Sequence, residues 1–219
     1  MARLPLVLVH GWGFDASVWD ALRAHLPGWT LHAADAGYFG EAVAEPRPPA
    51  YVAVGHSLGA MRCLATTDRG CRGWVLINGF TRFSAADDFP AGVPVRVIDR
   101  MVSKLATDPA AVVNEFRRRC GAAPAAGVPN AAALAADLLQ LRNGDARKEW
   151  AQRRIPVCVL AGEADPVVAP ALTRASFGTS VAWQPDGGHL LPLTHPAWCA
   201  QRIRDFAGTC AATDAIDPA

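Results

Sequence analysis

The stretch of this 219-residue chain best suited to chemistry is Gly55-His56-Ser57-Leu58-Gly59. A serine hydroxyl is a poor nucleophile until a base removes its proton. Flanking glycines let the chain turn sharply enough to present that hydroxyl at the end of a strand, and the following N–H, here that of Leu58, then points at a developing oxyanion. Such a serine needs an acid and a histidine, which follow it in the chain order Ser, Asp or Glu, His. Asp165 stands in Gly162-Glu163-Ala164-Asp165-Pro166 and His189 in Gly187-Gly188-His189, each just after an apolar run. Glu163 is the rival acid. His195, beside Pro196 at the start of a helical pattern, is the rival base. His10-Gly11-Trp12-Gly13 closes the first apolar run, where a second oxyanion donor belongs, and the Trp12 N–H would pair with that of Leu58. His10 and His56 read as structural hydrogen-bonding groups, while His25 and His32 carry no signal.

The elements that must hold these residues alternate. Short runs rich in β-branched residues at 4–9, 29–34, 51–54, 73–78, 156–161 and 180–184 read as strands. Helical spacing occurs at 15–25, from Leu58 to Ala65, and at 196–207. Strands alternating with helices imply a mostly parallel, doubly wound α/β sheet covered on both faces. Residues 80–154 interrupt the alternation with helical patterns near 95–105, 110–118 and 131–141, separated by Pro/Gly-rich breaks, as a helical lid would. The expected division is a core of 1–79 and 155–208, a lid of 80–154, and a patternless, frayed tail at 209–219. Only the eleven residues 40–50, three of them proline, precede the nucleophile strand, so a helix there is missing or reduced to a turn.

Composition narrows the function classes. A formal net charge of +1 gives no reason to expect nucleic acid, and no apolar run approaches the ~20 residues of a membrane-spanning helix. The apolar start is too short for a secretory signal core, which points to the cytoplasm. Six scattered cysteines lack metal-ligand spacing, so neither a metal nor a cofactor is expected. Oligomeric state is left open.

Together these motifs resemble the α/β-hydrolase superfamily over most of the chain. A closer resemblance is to the pimeloyl-acyl carrier protein methyl ester esterases of biotin synthesis. It lies in Leu4-Pro-Leu-Val-Leu-Val-His-Gly-Trp-Gly13, in Phe83-Ser-Ala-Ala-Asp-Asp-Phe-Pro90, and in Val113-Asn-Glu-Phe116. The resemblance implies an α/β-hydrolase fold with a short helical lid, Phe116 against the acyl chain, and an ester substrate presented on acyl carrier protein. Charge agrees with it. Residues 80–154 hold 12 Lys and Arg against 8 Asp and Glu, a balance of +4, while the remainder carries −3. A basic lid would attract an acidic carrier, with Arg117-Arg118-Arg119 the densest contact. The expected reaction is ester hydrolysis through an acyl-enzyme on Ser57. The alternatives are a general short-chain carboxylesterase, a carbon–carbon hydrolase or lyase on the same scaffold, and a non-catalytic hydrolase-like binding protein. Dehalogenase chemistry would need Asp where Ser57 stands.

Overall fold

A computed structural model describes residues 3–44, 47–65 and 69–214. Six parallel strands, β1 (Leu6–Val9), β2 (Leu31–Ala34), β3 (Tyr51–His56), β4 (Cys71–Ile77), β5 (Val157–Gly162) and β6 (Ala182–Gln184), form one sheet in the order β2-β1-β3-β4-β5-β6. The chain steps from β1 outward to β2 and then returns to the other side of β1 with β3. Strand order therefore reverses between β1 and β3, and in open α/β sheets a crevice opens beyond the carboxyl ends at such a point. All six residues of β3 are buried, which explains why this segment reads as a continuous apolar run without alternation.

The helices cover both faces. A 3-10 turn (Ala16–Trp19), capped by the Asp15 carboxylate on the Ser17 N–H at 2.9 Å, leads into α1 (Asp20–Ala24). This pair shares one face with α8 (Leu191–Thr194) and α9 (Pro196–Asp214). There Val18, Trp19, Leu22, Leu191 and Ile203 pack on Leu6, Leu8, Val54, Val75 and Ile77. On the other face α2 (Leu58–Ala65) and α7 (Pro170–Phe177) meet Val7, Ala53, Leu76 and Val159. Four helices stand between β4 and β5: α3 (Val95–Leu105), α4 (Pro109–Arg119), α5 (Ala131–Asn143) and α6 (Arg147–Gln152). Their apolar residues Ile98, Val113, Leu134 and Leu138 join the second core. The short α6 lies beyond the three helical patterns that the sequence suggests.

Two further features concern element boundaries. Among the described residues no helix lies between β2 and β3, and a cavity of ≈ 320 Å³ opens there over Val7, Val9, Ala34, Ala53 and Trp74. It contains neither Ser57 nor His189. The chain after Gly208 corrects the expected frayed tail: α9 continues to Asp214, and residues 215–219 lie outside the described residues. The reason is packing. Cys210 is 2 % exposed, and its sulfur would lie 2.8 Å from a Cβ placed on Gly73, so the last turns cover the side of β4 that carries this glycine. Among the described residues no helix is long and apolar enough to cross a membrane.

Deleting residues 208–219 removes that packing. Thermal unfolding should fall by roughly 2–8 °C, from about 1–2 kcal/mol of lost burial. An unchanged melting temperature would mean that the end of α9 contributes nothing.

Candidate active site

The site begins with an unfavourable backbone conformation. Ser57 adopts a φ of 55°, in the left-handed region, between the end of β3 and the first residue of α2. Such a conformation costs on the order of 1–3 kcal/mol in a non-glycine residue. Backbone bonds hold it, from the Ser57 N–H to the Ile77 carbonyl (3.0 Å) and from the Ala60 N–H to the Ser57 carbonyl (3.0 Å). The flanking glycines are required by contact. A Cβ on Gly55 would sit 2.6 Å from the Ala60 backbone, and one on Gly59 would sit 2.0 Å from the Val9 carbonyl oxygen. The start of α2 is thus wedged against the end of β1. Gly11 meets the nucleophile itself, since a Cβ there would lie 2.8 Å from the Ser57 Cβ. As the first helical residue, Leu58 has an N–H with no acceptor one turn back, at the positive end of the helix dipole.

Asp165 and His189 meet at the ends of the next strands. His189 Nδ1 donates to Asp165 Oδ2 at 2.8 Å, with both side chains 1 % exposed. The other carboxylate oxygen accepts the N–H groups of Val167 (2.7 Å) and Val168 (2.9 Å), which locks its orientation. With Nδ1 donating, Nε2 carries the lone pair, and that nitrogen is buried without a hydrogen-bond partner. An imidazole held in this tautomer, with a carboxylate behind it, is arranged to accept a proton.

The rivals are placed differently. Glu163 is exposed. His195 lies at the end of α8, with Nε2 3.3 Å from Asp186 and Nδ1 2.9 Å from the Thr194 hydroxyl. His10 donates from Nδ1 to the Gly11 carbonyl (2.8 Å) and accepts the Ala36 N–H at Nε2 (3.0 Å), while burial lowers its pKa. It therefore ties the Gly11–Trp12 loop to the chain after β2. His56 donates from Nε2 to the His189 carbonyl (2.8 Å), a structural hydrogen bond as its position suggested. Asn78, which sequence reasoning passed over as a strand end, has a φ of 46° and bonds both Gly188 and Gly162. A polar residue that tolerates the left-handed region, at the end of an apolar strand, was the available signal. Burial pushes the thiols of Cys63, Cys120 and Cys199 up to about 12, which keeps them protonated.

Above Ser57 lies an apolar cavity of ≈ 60 Å³, walled by Trp12, Ile98, Phe116, Leu138 and Leu141 among others. The Trp12 indole donates to the Leu134 carbonyl at 2.9 Å and meets Phe116 edge to face, so α4 and α5 both brace it. A larger groove of ≈ 880 Å³ runs between α3 and α4, rimmed by Arg100, Lys104 and Arg119 with Asp108 and Glu115. Val97, Met101, Phe116 and Arg119 line both spaces and therefore divide them.

The three arginines expected to face a carrier point in three directions, because successive helical residues are turned about 100° apart. Arg119 lines the groove and bonds the Pro166 carbonyl at 2.6 Å and 3.1 Å. Arg118 is exposed and paired with Glu115 on its own helix. Arg117 turns inward onto the Gly13 and Ala123 carbonyls, with its guanidinium over the Phe14 ring. It clamps α4 to the loop after β1.

Comparison with known proteins adds a family. A model described as the alpha/beta hydrolase family matches residues 6–202. Among curated proteins, a pimeloyl-[acyl-carrier protein] methyl ester esterase of Stenotrophomonas maltophilia is 28 % identical, over 95 % of this chain and 95 % of its own. One of Aromatoleum aromaticum is 29 % identical, over 94 % and 98 %. In structure the chain is similar to an esterase from Exiguobacterium antarcticum, with a TM-score of 0.77 at 13 % identity over 94 % of this chain and 92 % of that one. A thermophilic esterase from Thermogutta terrifontis superposes with a TM-score of 0.73 at 21 % identity, over 94 % and 90 %.

The bonds around Asp165 predict the effect of Asp165→Asn. The Val167 and Val168 N–H groups require an acceptor, so the new amide nitrogen must face His189 Nδ1 and donate to it. The imidazole proton then moves to Nε2, where it blocks proton abstraction. Turnover of an activated ester such as p-nitrophenyl acetate should fall about 10³–10⁴-fold with the melting temperature nearly unchanged. A loss under tenfold would show that Asp165 does not set the tautomer.

Proposed function

Since the chain belongs to the alpha/beta hydrolase family, we propose that it is a serine carboxylesterase that removes the methyl group from pimeloyl-acyl carrier protein methyl ester, in biotin synthesis. The observation that carries the catalytic part is the buried His189–Asp165 bond, which leaves the Nε2 lone pair free on the sheet edge where the strained serine also stands. In the forward half-reaction His189 Nε2 takes the Ser57 proton and Oγ attacks the ester carbonyl. The Trp12 and Leu58 N–H groups stabilise the resulting oxyanion. Collapse breaks the bond to the methoxy oxygen, and the imidazolium returns its proton to release methanol. Water then attacks the acyl-serine with the same proton transfers, which frees the acid and restores Ser57.

The carrier-bound substrate is supported by the printed function of the two curated relatives and by the form of the α3–α4 groove. A chain tethered to a carrier must enter from outside, and this groove is separated from the cavity over Ser57 only by Val97, Met101, Phe116 and Arg119. Arg100, Lys104 and Arg119 outnumber Asp108 and Glu115 along it, the sign that an acidic carrier favours. A second reading, a general short-chain carboxylesterase, is favoured by one observation. The cavity over Ser57 holds only ≈ 60 Å³, enough for a short acyl group without movement of Met101 or Phe116.

Hydrolysis of pimeloyl-acyl carrier protein methyl ester and of free methyl butyrate by wild type and Ser57→Ala separates these readings. The carrier ester should be preferred, the preference should weaken as salt rises, and Ser57→Ala should lose at least about 10⁴-fold on both. Cleavage of the free ester alone would leave the short-chain reading. Met101→Ala joins the two spaces, so it should raise kcat/KM for an octanoyl ester relative to an acetyl ester by about tenfold. An unchanged ratio would show that this side chain does not limit acyl length.

A further inference from the structure

We propose that His56 and Asn78 are positioning residues that fix the backbone of the base loop, so that the imidazole of His189 is set from behind its own main chain as well as by Asp165. This rests on the reading of His189 as the base. The loop Gly187-Gly188-His189 begins where β6 has already ended, and the strand ladder no longer holds it. Its three successive carbonyls are each taken by a different donor. The Ala164 N–H bonds the Gly187 carbonyl at 3.0 Å, Asn78 Nδ2 the Gly188 carbonyl at 2.7 Å, and His56 Nε2 the His189 carbonyl at 2.8 Å. The donors follow the carboxyl ends of β5 and β4 and end β3, one from each neighbouring strand. The loop lies so close to the sheet that a Cβ on Gly162 would come 2.1 Å from the Gly187 oxygen.

Asn78 serves two strands at once. Its Oδ1 accepts the Gly162 N–H (3.1 Å) and its own N–H donates to Leu160 (2.8 Å), so the side chain that grips the base loop is anchored to β5. His56 immediately precedes the nucleophile, so its single bond ties the serine turn directly to the residue that activates it. The carbonyl acceptor requires a proton on Nε2. Nδ1 is then a bare lone pair, buried without a partner and facing Gly11, where a Cβ would lie 3.2 Å away. Burial first, and the nearby His189 second, hold the His56 pKa down to about 3. A neutral ring can thus stand 4.9 Å from His189 without opposing the positive charge that the base acquires during turnover.

The test compares His56→Leu, which removes the donor at similar volume, with His56→Gln, whose amide restores one. Asn78→Gly removes both side-chain bonds and tolerates the positive φ. With p-nitrophenyl acetate, His56→Leu should lose about 10–100-fold in kcat with KM within twofold, since a displacement of the order of 1 Å costs about that much. Glutamine should recover most of the loss, and Asn78→Gly should lose at least tenfold. Added to Asp165→Asn, either change should cost much less than it does alone, because all act through one imidazole. A kcat within twofold of wild type for His56→Leu, or equal losses for Leu and Gln, would overturn the proposal. If His56→Leu does not fold, Asn78→Gly decides by the same twofold criterion. His189→Ala is the control. Retained activity there removes the reading of the base itself, whereas an inactive His189→Ala beside a fully active His56→Leu removes only the positioning role.

Discussion

The left-handed turn at Ser57 is the constraint around which the rest is built. A serine with a φ of 55° is stable only if its surroundings leave no alternative, and here three glycines remove the atoms that would push it away. Gly59 lets α2 touch the end of β1, Gly55 lets the strand pass beneath the helix, and Gly11 clears the space at the Ser57 Cβ. The on-order 1–3 kcal/mol of backbone strain is offset by the sheet beneath. Tyr51, Val52 and Val54 of β3 are each 2 % exposed or less, and fully burying such side chains stabilises by about 1.5–3 kcal/mol apiece.

From that turn the other groups follow by adjacency along one sheet edge. β1 supplies the Gly11–Trp12 loop, β4 Asn78, β5 the loop of Asp165, and β6 that of His189. Of the polar side chains gathered there, His10, Asn78 and Asp165 use both of their polar atoms in hydrogen bonds, and burial strengthens each of these. Among the described residues two imidazole nitrogens at this edge, Nδ1 of His56 and Nε2 of His189, are buried without a hydrogen-bond partner. The insert between β4 and β5 packs over this edge, and its bonds to the rest of the fold include Trp12 to Leu134, Arg117 to Gly13 and Arg119 to Pro166. Each of these contacts touches a loop of the site.

What was legible in the sequence was what depends on local order. The serine motif, the chain order of Asp165 and His189, and the alternation of strands with helices are all set by short-range turn chemistry and periodicity. The eleven residues before β3 were too few for a covering helix, and among the described residues no helix is found there. What could not be read depends on register and packing between distant segments. Asn78 matters because the ends of β4, β5 and β6 align across the sheet. Cys210 orders the last turns of α9 because Gly73, far away in sequence, makes room for it. Arg117, Arg118 and Arg119 form one cluster in the sequence but take three directions on a helix, with different partners for each.

On the proposed mechanism the strained serine, and no other nucleophile, is activated in the folded chain. Reaction of the protein with a fluorophosphonate, followed by peptide mapping by mass spectrometry, tests it most directly. A single adduct on Ser57 is expected, formed rapidly by wild type and at least about a hundredfold more slowly by His189→Ala. An adduct on any other residue, or equal labelling of Ser57 with and without His189, would contradict it.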